Sequence, residues 1–280
     1  MTRTVLITGC SSGIGRALAE AFHSAGYRVF ATARRDEDLA ELTAAGFVAV
    51  ALDVTDDAAI VRLAERIADE TDGLDVLINN AGFGAMGPTL DFDRAALRVQ
   101  FETNVFAPLM LARTCLPLLC ERHGVIVNLG SVAGLMTSPF GGVYCASKAA
   151  LHRLSEAMRM ELTPFGVDVM VVQPGAVATR FGRSARAGLS ERMRDDSPWR
   201  AWRDRIEQRA GSSDAFSSTP VSAMAHTVLN AVEQKPRRRV VKVGRGGRLI
   251  PLLERLVPMA LRETLLKRHF GLGKSSGGDR

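Results

Sequence analysis

Cysteine is scarce in this sequence, and its placement argues against two common kinds of site. Four of the 280 residues are cysteines, at positions 10, 115, 120 and 145, and no two of them form a Cys-x-x-Cys pair. Metal-binding cysteines usually come in such pairs or beside histidines, and small secreted domains depend on several disulfide bonds. We therefore expect a reduced, cytoplasmic protein with neither a disulfide framework nor a zinc site.

Long apolar runs are also missing. No uninterrupted run reaches the ~18–20 residues of a membrane-spanning helix. The first residues, MTRTVLITG, already predict a strand followed by a glycine loop, which leaves no room for a signal peptide. No Pro/Ser-rich linker interrupts the pattern before the last few residues, and 46% hydrophobic residues suffice for one large core. These absences indicate a single domain.

Acidic residues are few near the C-terminus. Between Lys235 and Arg280 there are 13 Lys and Arg residues but 3 Asp and Glu residues, a net charge of +10 against +6 for the whole chain. A basic segment can bind nucleic acid or an anionic membrane surface. This segment lacks interleaved aromatic residues and any nucleic-acid-binding module, so the pattern favours a solvated basic face over nucleic-acid binding.

Short apolar segments alternate with longer amphipathic ones along most of the chain. The helices are predicted at 13–26, 36–46, 56–71, 94–121 and from Tyr144 to about 163, and the strands at 4–8, 28–33, 48–54, 74–82, 124–131, 167–175 and 238–243. Strands that are apolar on both faces are typical of buried parallel sheets. The pattern predicts an α/β fold of Rossmann type: a doubly wound parallel sheet of about seven strands in a single domain. We divide that domain into residues 1–245 and a basic amphipathic extension at 246–280.

A glycine loop separates the first predicted strand from the first helix. The stretch TGCSSGIG carries glycines at 9, 13 and 15, which allow a tight turn and a close approach of the backbone to a pyrophosphate. The N-terminus of the following helix would offer free N–H groups and the positive end of its dipole. The Gly-x-x-x-Gly-x-Gly spacing differs from the common Gly-x-Gly-x-x-Gly dinucleotide fingerprint.

One of the two tyrosines in the chain, Tyr144, lies four residues before Lys148. That spacing places both side chains on one face of a helix. A free tyrosine has a pKa of ~10, which is too high for a good base near neutral pH. An ammonium group one turn away, together with the positive charge of an oxidised nicotinamide, could lower that pKa and make the phenol an acid/base group.

Three motifs together, TGCSSGIG, NNAG at 79–82 and Tyr-x-x-x-Lys, resemble the classical short-chain dehydrogenase/reductase (SDR) family over about residues 3–182. The stretch FATARR and the amphipathic tail are similar to the branch that includes 17β-hydroxysteroid and retinol dehydrogenases. The resemblance implies an NAD(P)-dependent oxidoreductase that interconverts an alcohol with a ketone or aldehyde. It implies a catalytic tetrad of Asn104, Ser131, Tyr144 and Lys148.

The same resemblance assigns roles within the site. Tyr144 would be the acid/base, Lys148 would lower its pKa and bind the nicotinamide ribose, and Ser131 would hydrogen-bond the substrate oxygen. Asn104 would position a water between Lys148 and solvent. The implied cofactor-binding residues, besides Tyr144 and Lys148, are Gly9, Ser11, Ser12, Gly13, Ile14, Gly15, Arg34, Asp53, Val54, Asn80, Ala81, Gly82, Pro174, Gly175, Val177 and Thr179.

The end of the second predicted strand indicates the preferred cofactor. NAD-preferring folds usually carry Asp or Glu there, to bind the ribose 2′-hydroxyl. This chain has Ala33 followed by Arg34 and Arg35, so a guanidinium group, with Arg34 the better placed, could pair with a 2′-phosphate. The sequence favours NADP(H), with NAD(H) as the alternative.

The substrate is expected at residues 180–220 and at the C-terminus. The first region carries both tryptophans, in SPWRAWRDRIEQ, and is either a surface helix or a lid over an apolar substrate. In the tail, Pro251 and Pro258 are predicted to start two short helices, which could pack on the core, form a dimer surface or touch a membrane. The resemblance implies a hydrophobic alcohol or ketone and a homodimer or homotetramer. Alternative functions are a catalytically idle dinucleotide-binding regulator and an epimerase or dehydratase.

Overall fold

Seven parallel strands form one sheet in the order β3-β2-β1-β4-β5-β6-β7 in a computed structural model. The structure describes residues 2–177, 179, 181–186, 188–189, 193–194, 196–211, 219–244, 246–247 and 249–273. The strands are β1 (Thr4–Ile7), β2 (Arg28–Ala33), β3 (Val48–Ala51), β4 (Val76–Asn79), β5 (Val125–Leu129), β6 (Asp168–Pro174) and β7 (Val240–Val243). The predicted fold class and strand number are confirmed.

Eleven helices are assigned within the described part of the chain, together with several short turns of 3₁₀ helix. The helices are α1 (Gly13–Ser24), α2 (Asp36–Ala44), α3 (Asp57–Glu70), α4 (Arg94–Phe101), α5 (Ala107–Arg122), α6 (Gly142–Glu161), α7 (Phe181–Arg186), α8 (Arg203–Ala210), α9 (Val221–Glu233), α10 (Leu249–Leu256) and α11 (Met259–His269). The part of the predicted lid at 180, 187, 190–192, 195 and 212–218, and the tail residues 248 and 274–280, lie outside the described residues.

Apolar side chains cover both faces of the sheet. Along β1, Val5 and Ile7 contribute to one core cluster and Leu6 to the other, because side chains alternate along a strand. Helices α1 and α9 pack on the first face, and α3 and α5 on the second. The chain moves outward from β1 to β3 and then returns to β4 on the other side of β1. Ligands of doubly wound folds bind at this reversal, outside the carboxyl ends of the strands.

The predicted helix at 94–121 is continuous from Arg94 to Arg122 but contains an unexpected feature. A π-helical turn at Glu102–Phe106 joins α4 to α5. Such single-turn widenings insert a residue into the helical hydrogen-bond pattern and occur often at functional sites. Asn104 lies within this turn. A sequence pattern with a helical period does not distinguish such a turn from regular α-helix.

By length and composition alone, the same helix is long and apolar enough to cross a membrane. Its mean hydropathy reaches 1.3, and 44% of its most apolar window is buried. This helix contains no long uninterrupted apolar run, because charged and polar residues such as Arg113 interrupt it. Leu111, Cys115 and Leu119 from α5 lie in the core on the sheet, as in the core helices of many globular folds.

Candidate active site

A cavity of about 700 Å³ opens at the carboxyl ends of the central strands. This volume is within the usual range for cofactor and substrate sites. The cavity brings together every residue that the sequence assigned to cofactor binding, with Ser131 beside them. The lining also includes Ala33, which the sequence had placed at the end of the second strand, and residues that no motif indicated: Leu52, Phe83, Val99, Thr103, Leu129, Gly130 and Phe181.

The glycine loop lines one side of the cavity. Gly9 has a φ of +72°, a left-handed conformation that favours glycine. A Cβ at Gly15 would lie 2.2 Å from the Gly9 carbonyl oxygen and 2.5 Å from Asn80 Nδ2, so only glycine lets α1 start this close to the loop. The Asn80 amide donates to the carbonyls of Thr8 and Gly9 at 2.8 and 3.0 Å and ties the loop to the end of β4.

The N-terminus of α1 lines the same side of the cavity and is suited to bind an anionic group. Its N-cap residue, Ser12, makes no side-chain capping bond, and the first turn carries no acidic residue. Free backbone N–H groups and the positive end of the helix dipole therefore favour a phosphate there. Together with the cavity volume and the glycine cradle, this chemistry fits a nicotinamide dinucleotide.

Tyr144 and Lys148 are both buried on α6, with 7% and 6% of their surface exposed. The Ser131 hydroxyl, just beyond the end of β5, lies beside the Tyr144 phenol and acts to lower its pKa. The ammonium of Lys148 donates to the Leu129 carbonyl oxygen at 2.7 Å. Three of the four predicted tetrad residues therefore lie together where the end of β5 packs beside α6.

Asn104 binds backbone and side-chain groups of the protein next to the cavity. Its Oδ1 accepts from the Phe83 backbone N–H at 3.2 Å, and its Nδ2 donates to the Phe83 carbonyl at 2.9 Å and to Ser147 Oγ at 3.1 Å. A Cβ at Gly82 would lie 3.0 Å from Asn104 Oδ1 and 3.6 Å from Lys148 Nζ. The side chain is thus next to the cavity wall but holds protein groups.

The Phe83 segment has a second clamp that the motifs did not reveal. Gln100, one turn before Asn104, is fully buried; its Oε1 accepts from Ala85 N–H at 2.7 Å and its Nε2 donates to the Phe83 carbonyl at 2.9 Å. The sequence shows the four-residue spacing between Gln100 and Asn104. It does not show the hydrogen-bond partners of Gln100, because Phe83 and Ala85 lie 15 or more residues away along the chain.

Burial shifts the pKa values of the two central groups in opposite directions. It raises the pKa of Tyr144 to about 12, although the hydrogen bond from Ser131 and the charge of Arg209 act to lower it. Burial lowers the pKa of Lys148 to about 8. Low polarity disfavours the charged form of both an acid and a base, which explains the two directions.

The other side of Tyr144 is apolar. The Phe181 ring from α7 lies 5.4 Å from the Tyr144 ring, and Met86, Ala185 and Ala210 complete the same cluster. Arg209, on α8, donates from Nε to Ser138 Oγ at 3.0 Å. The described part of the predicted lid therefore forms one wall of the site around Tyr144.

At the opposite end of the cavity, the two arginines after β2 differ. Arg34 lines the cavity, whereas Arg35 binds Asp38 through two hydrogen bonds of 2.8 and 2.7 Å. Asp53 accepts from the backbone and side chain of Thr55, which hold the pKa of its carboxyl below the usual value, with a smaller contribution from Arg34. The available guanidinium group at this end is therefore that of Arg34.

A family model described as short chain dehydrogenase matches residues 3–190. The chain belongs to the short-chain dehydrogenase family. This SDR protein is 39% identical over 273 residues to the short-chain dehydrogenase ptmH of Penicillium ochrochloron, an alignment that covers 96% of this chain and 98% of ptmH. The predicted family is confirmed, and the protein is an SDR oxidoreductase.

Solved structures of the family share the whole architecture. A short-chain dehydrogenase from Burkholderia cenocepacia in complex with NADP has a TM-score of 0.75 and 29% identity, covering 95% of this SDR chain and 98% of its own. A short-chain dehydrogenase/reductase from Burkholderia phymatum in complex with NAD has a TM-score of 0.74 and 25% identity, covering 100% and 98%. The two neighbours were solved with different cofactors.

Proposed function

We propose that this enzyme interconverts a hydrophobic primary or secondary alcohol with its aldehyde or ketone, using NADP(H). The observation that carries the proposal is the location of the Tyr144 hydroxyl. It lies beside Ser131 where the cavity lined by the glycine loop meets the apolar wall of Phe181 and Met86. A carbonyl group beside that hydroxyl would lie between a proton donor and the cofactor residues.

Tyr144 is the acid/base group in this mechanism. A bound nicotinamide would supply or accept the hydride. With a pKa near 12, Tyr144 keeps its proton at neutral pH and can donate it to a carbonyl oxygen. The lowered pKa expected from the sequence is not found in the chain alone and would depend on positive charge supplied by the cofactor.

The other tetrad residues support that proton transfer. Ser131 acts to lower the pKa of the neighbouring phenol and would also stabilise negative charge on the substrate oxygen. Lys148 is charged at neutral pH, and its ammonium would stabilise the phenolate that remains after the transfer. Asn104 holds Phe83 and Ser147, so we propose that it shapes the wall beside Lys148.

The preference for NADP(H) rests on Arg34. Ala33 ends β2 without a carboxylate, Arg34 lines the cavity and Arg35 is occupied by Asp38. A 2′-phosphate would pair with a guanidinium group through charge-assisted hydrogen bonds. The NADP complex of the Burkholderia cenocepacia relative supports this choice, whereas the NAD complex of the second relative shows that the fold alone does not determine it.

The apolar wall supports a hydrophobic substrate, in keeping with the resemblance to the 17β-hydroxysteroid and retinol dehydrogenase branch. We propose a homodimer or homotetramer, a cytoplasmic location and no nucleic-acid partner, as the sequence suggested. An idle dinucleotide-binding regulator is the alternative, and a catalytically active Tyr144 distinguishes the two functions.

Replacing Tyr144 with phenylalanine tests the proposal. Tyr144→Phe removes one oxygen and should lower turnover of NADPH with an apolar ketone by ~10²–10⁴-fold, because the proton donor is lost. Tyr27→Phe is the matched control, since Tyr27 is equally buried but packs on Phe22 away from the cavity. Absorbance of the reduced nicotinamide measures turnover, and fluorescence titration measures NADPH affinity.

The affinity of Tyr144→Phe for NADPH should be unchanged. Turnover of this variant within tenfold of the unmodified enzyme would remove Tyr144 from the mechanism. Wild-type protein that binds NADPH but reduces no carbonyl in a broad panel would favour the regulator.

A further inference from the structure

His152 lies on the same face of α6 as Tyr144 and Lys148, one helical turn beyond the lysine. Its imidazole Nε2 accepts a hydrogen bond of 3.3 Å from the backbone N–H of Ser131. No sequence motif pointed to this histidine, because the two residues are 21 positions apart and meet only when α6 packs beside the end of β5.

Two glycines make room for the His152 ring. A Cβ at Gly130 would lie 2.2 Å from Nε2, and a Cβ at Gly134 would lie 2.6 Å from Cε1. Both distances are far shorter than van der Waals contact, so alanine at either position would displace the ring or the end of β5. The segment GSVAG therefore fits around the imidazole, with Ser131 between the two glycines.

Ser131 is held on several sides. Its Oγ accepts from the Ala133 N–H at 3.1 Å, and its carbonyl oxygen accepts from the Gly134 N–H at 3.0 Å. The bond to His152 fixes the remaining backbone group, the N–H, and with it the orientation of the peptide between residues 130 and 131. The Ser131 hydroxyl is thereby held in one position beside Tyr144.

We propose that His152 is a positioning residue, whose unprotonated Nε2 holds the Ser131 backbone so that the Ser131 hydroxyl stays beside the Tyr144 phenol. The proposal rests on the proposed function, in which Ser131 and Tyr144 act on the substrate oxygen. A shift of even 1 Å at a reacting group can cost a large part of the rate, so a residue without substrate contact can still determine kcat.

The hydrogen bond also fixes the tautomer of His152. Because Nε2 accepts, the neutral ring carries its proton on Nδ1, and Nδ1 is buried without a hydrogen-bond partner in the described part of the chain. Burial, followed by the charges of Lys148 and Arg153, lowers the pKa of His152 to about 4. The ring therefore stays neutral, and Nε2 remains an acceptor, under ordinary working conditions.

Two substitutions of similar length test this role. His152→Met fills the space without an acceptor and should lower kcat for carbonyl reduction about five- to fiftyfold, with the KM for NADPH unchanged. His152→Gln carries an amide oxygen where Nε2 was and should recover kcat to within about threefold of wild type. Equal losses of kcat in both variants, in step with equal losses of melting temperature, would show a purely structural role and overturn the proposal.

A measurement independent of activity uses the cofactor-free protein. Nitrogen-15 NMR of labelled histidine should show the Nδ1–H tautomer at His152, with no protonation down to about pH 5, given its low pKa. A proton on Nε2 would overturn the proposal even if His152→Met failed to fold. Ser131→Ala distinguishes a failure of the proposed function from a failure of the role of His152. If Ser131→Ala and Tyr144→Phe both keep full turnover, the proposed function fails. If they lose turnover while His152→Met keeps it, His152 alone is wrongly assigned.

Discussion

Lys148 is a buried cation, and its burial has a consequence for stability. Its pKa in the folded chain is about 8, against 10.5 when exposed, so the unfolded chain binds more protons between these two values. Below pH 8 both states are protonated, and the folded state bears the full cost of burying the charge, ~3 kcal/mol from the shift. As pH rises from 8 to 10.5, that cost disappears and the folded state gains stability.

Lys148→Met should therefore stabilise the cofactor-free protein while abolishing turnover. We expect an increase in unfolding free energy of ~1–3 kcal/mol at pH 7, because the lost bond to the Leu129 carbonyl offsets part of the gain. The difference between the two proteins should shrink by pH 10. Urea unfolding at pH 7 and 10 measures it, and a difference that does not change with pH would contradict the assignment of the shift to Lys148.

Arg34 and Arg35 form a matched pair for the cofactor preference. A charge-assisted contact to the 2′-phosphate contributes ~1.5–3 kcal/mol, so Arg34→Ala should weaken NADPH binding roughly ten- to a hundredfold and leave NADH binding nearly unchanged. Arg35→Ala should change neither, because Arg35 already binds Asp38. Calorimetric titration of both cofactors checks this, and a wild-type preference for NADH would refute the cofactor assignment.

At the scale of elements, the α4–α5 helix acts as a clamp on the segment Phe83–Ala85. Gln100 and Asn104 lie one turn apart and bind the two backbone groups of Phe83 and the N–H of Ala85. The π-helical turn at Glu102–Phe106 changes the local helical repeat where Asn104 lies, next to Gly82. The clamp is thus a property of the whole element, since it needs both side chains on one face.

Gln100→Leu should loosen this clamp. It leaves the buried Ala85 N–H without its acceptor, which should cost ~1–3 kcal/mol of stability and raise the substrate KM, because Phe83 lines the cavity. Arg98→Ala, on the exposed side of α4, is the control and should change stability by less than ~0.5 kcal/mol. Chemical denaturation and steady-state kinetics measure both effects, and a Gln100→Leu protein as stable as the control would refute the clamp.

At the scale of the whole molecule, the C-terminal extension packs against α8 and the segment that precedes α6. Phe270, 8% exposed, forms an edge-on contact with Phe140 at 6.0 Å, and Trp202 Nε1 donates to the Gly271 carbonyl at 3.0 Å. Ile206 from α8 joins the same cluster. Phe140 lies just before α6, so the extension, the described part of the lid and the helix of Tyr144 share one small core.

Phe270→Ala should disturb that shared core. Removing a buried phenylalanine ring typically costs ~3–5 kcal/mol, and we also expect a higher KM for an apolar substrate with unchanged NADPH affinity. Leu265→Ala, on the exposed face of α11 at 54% exposure, should cost less than ~0.5 kcal/mol. Melting curves and kinetics distinguish the two. A Phe270→Ala protein indistinguishable from the control would mean that residues 246–280 are not an extension of the same domain.

The sequence by itself determined the features that depend on local order. Apolar strands alternating with amphipathic helices led to the parallel sheet, and β2 has the same bounds as predicted. Many of the cavity residues were identifiable because they lie at or just beyond strand ends, and parallel strands end at one edge of the sheet. Strand ends were less accurate: residues 52–54 continue the apolar pattern of β3, yet strand pairing stops at Ala51.

The tertiary structure decided what depends on groups distant in the chain. Burial by neighbours from separate elements sets the raised pKa of Tyr144 and the lowered one of Lys148. The Tyr-x-x-x-Lys spacing indicated a lowered pKa for Tyr144, which is wrong for the chain without its cofactor. His152 reaches Ser131, and Gln100 reaches Ala85, only after their helices pack beside the sheet. The hydrophobic periodicity of the sequence indicates which face of a helix is buried. The hydrogen-bond partner of each buried polar group is determined by how the helices and strands pack together.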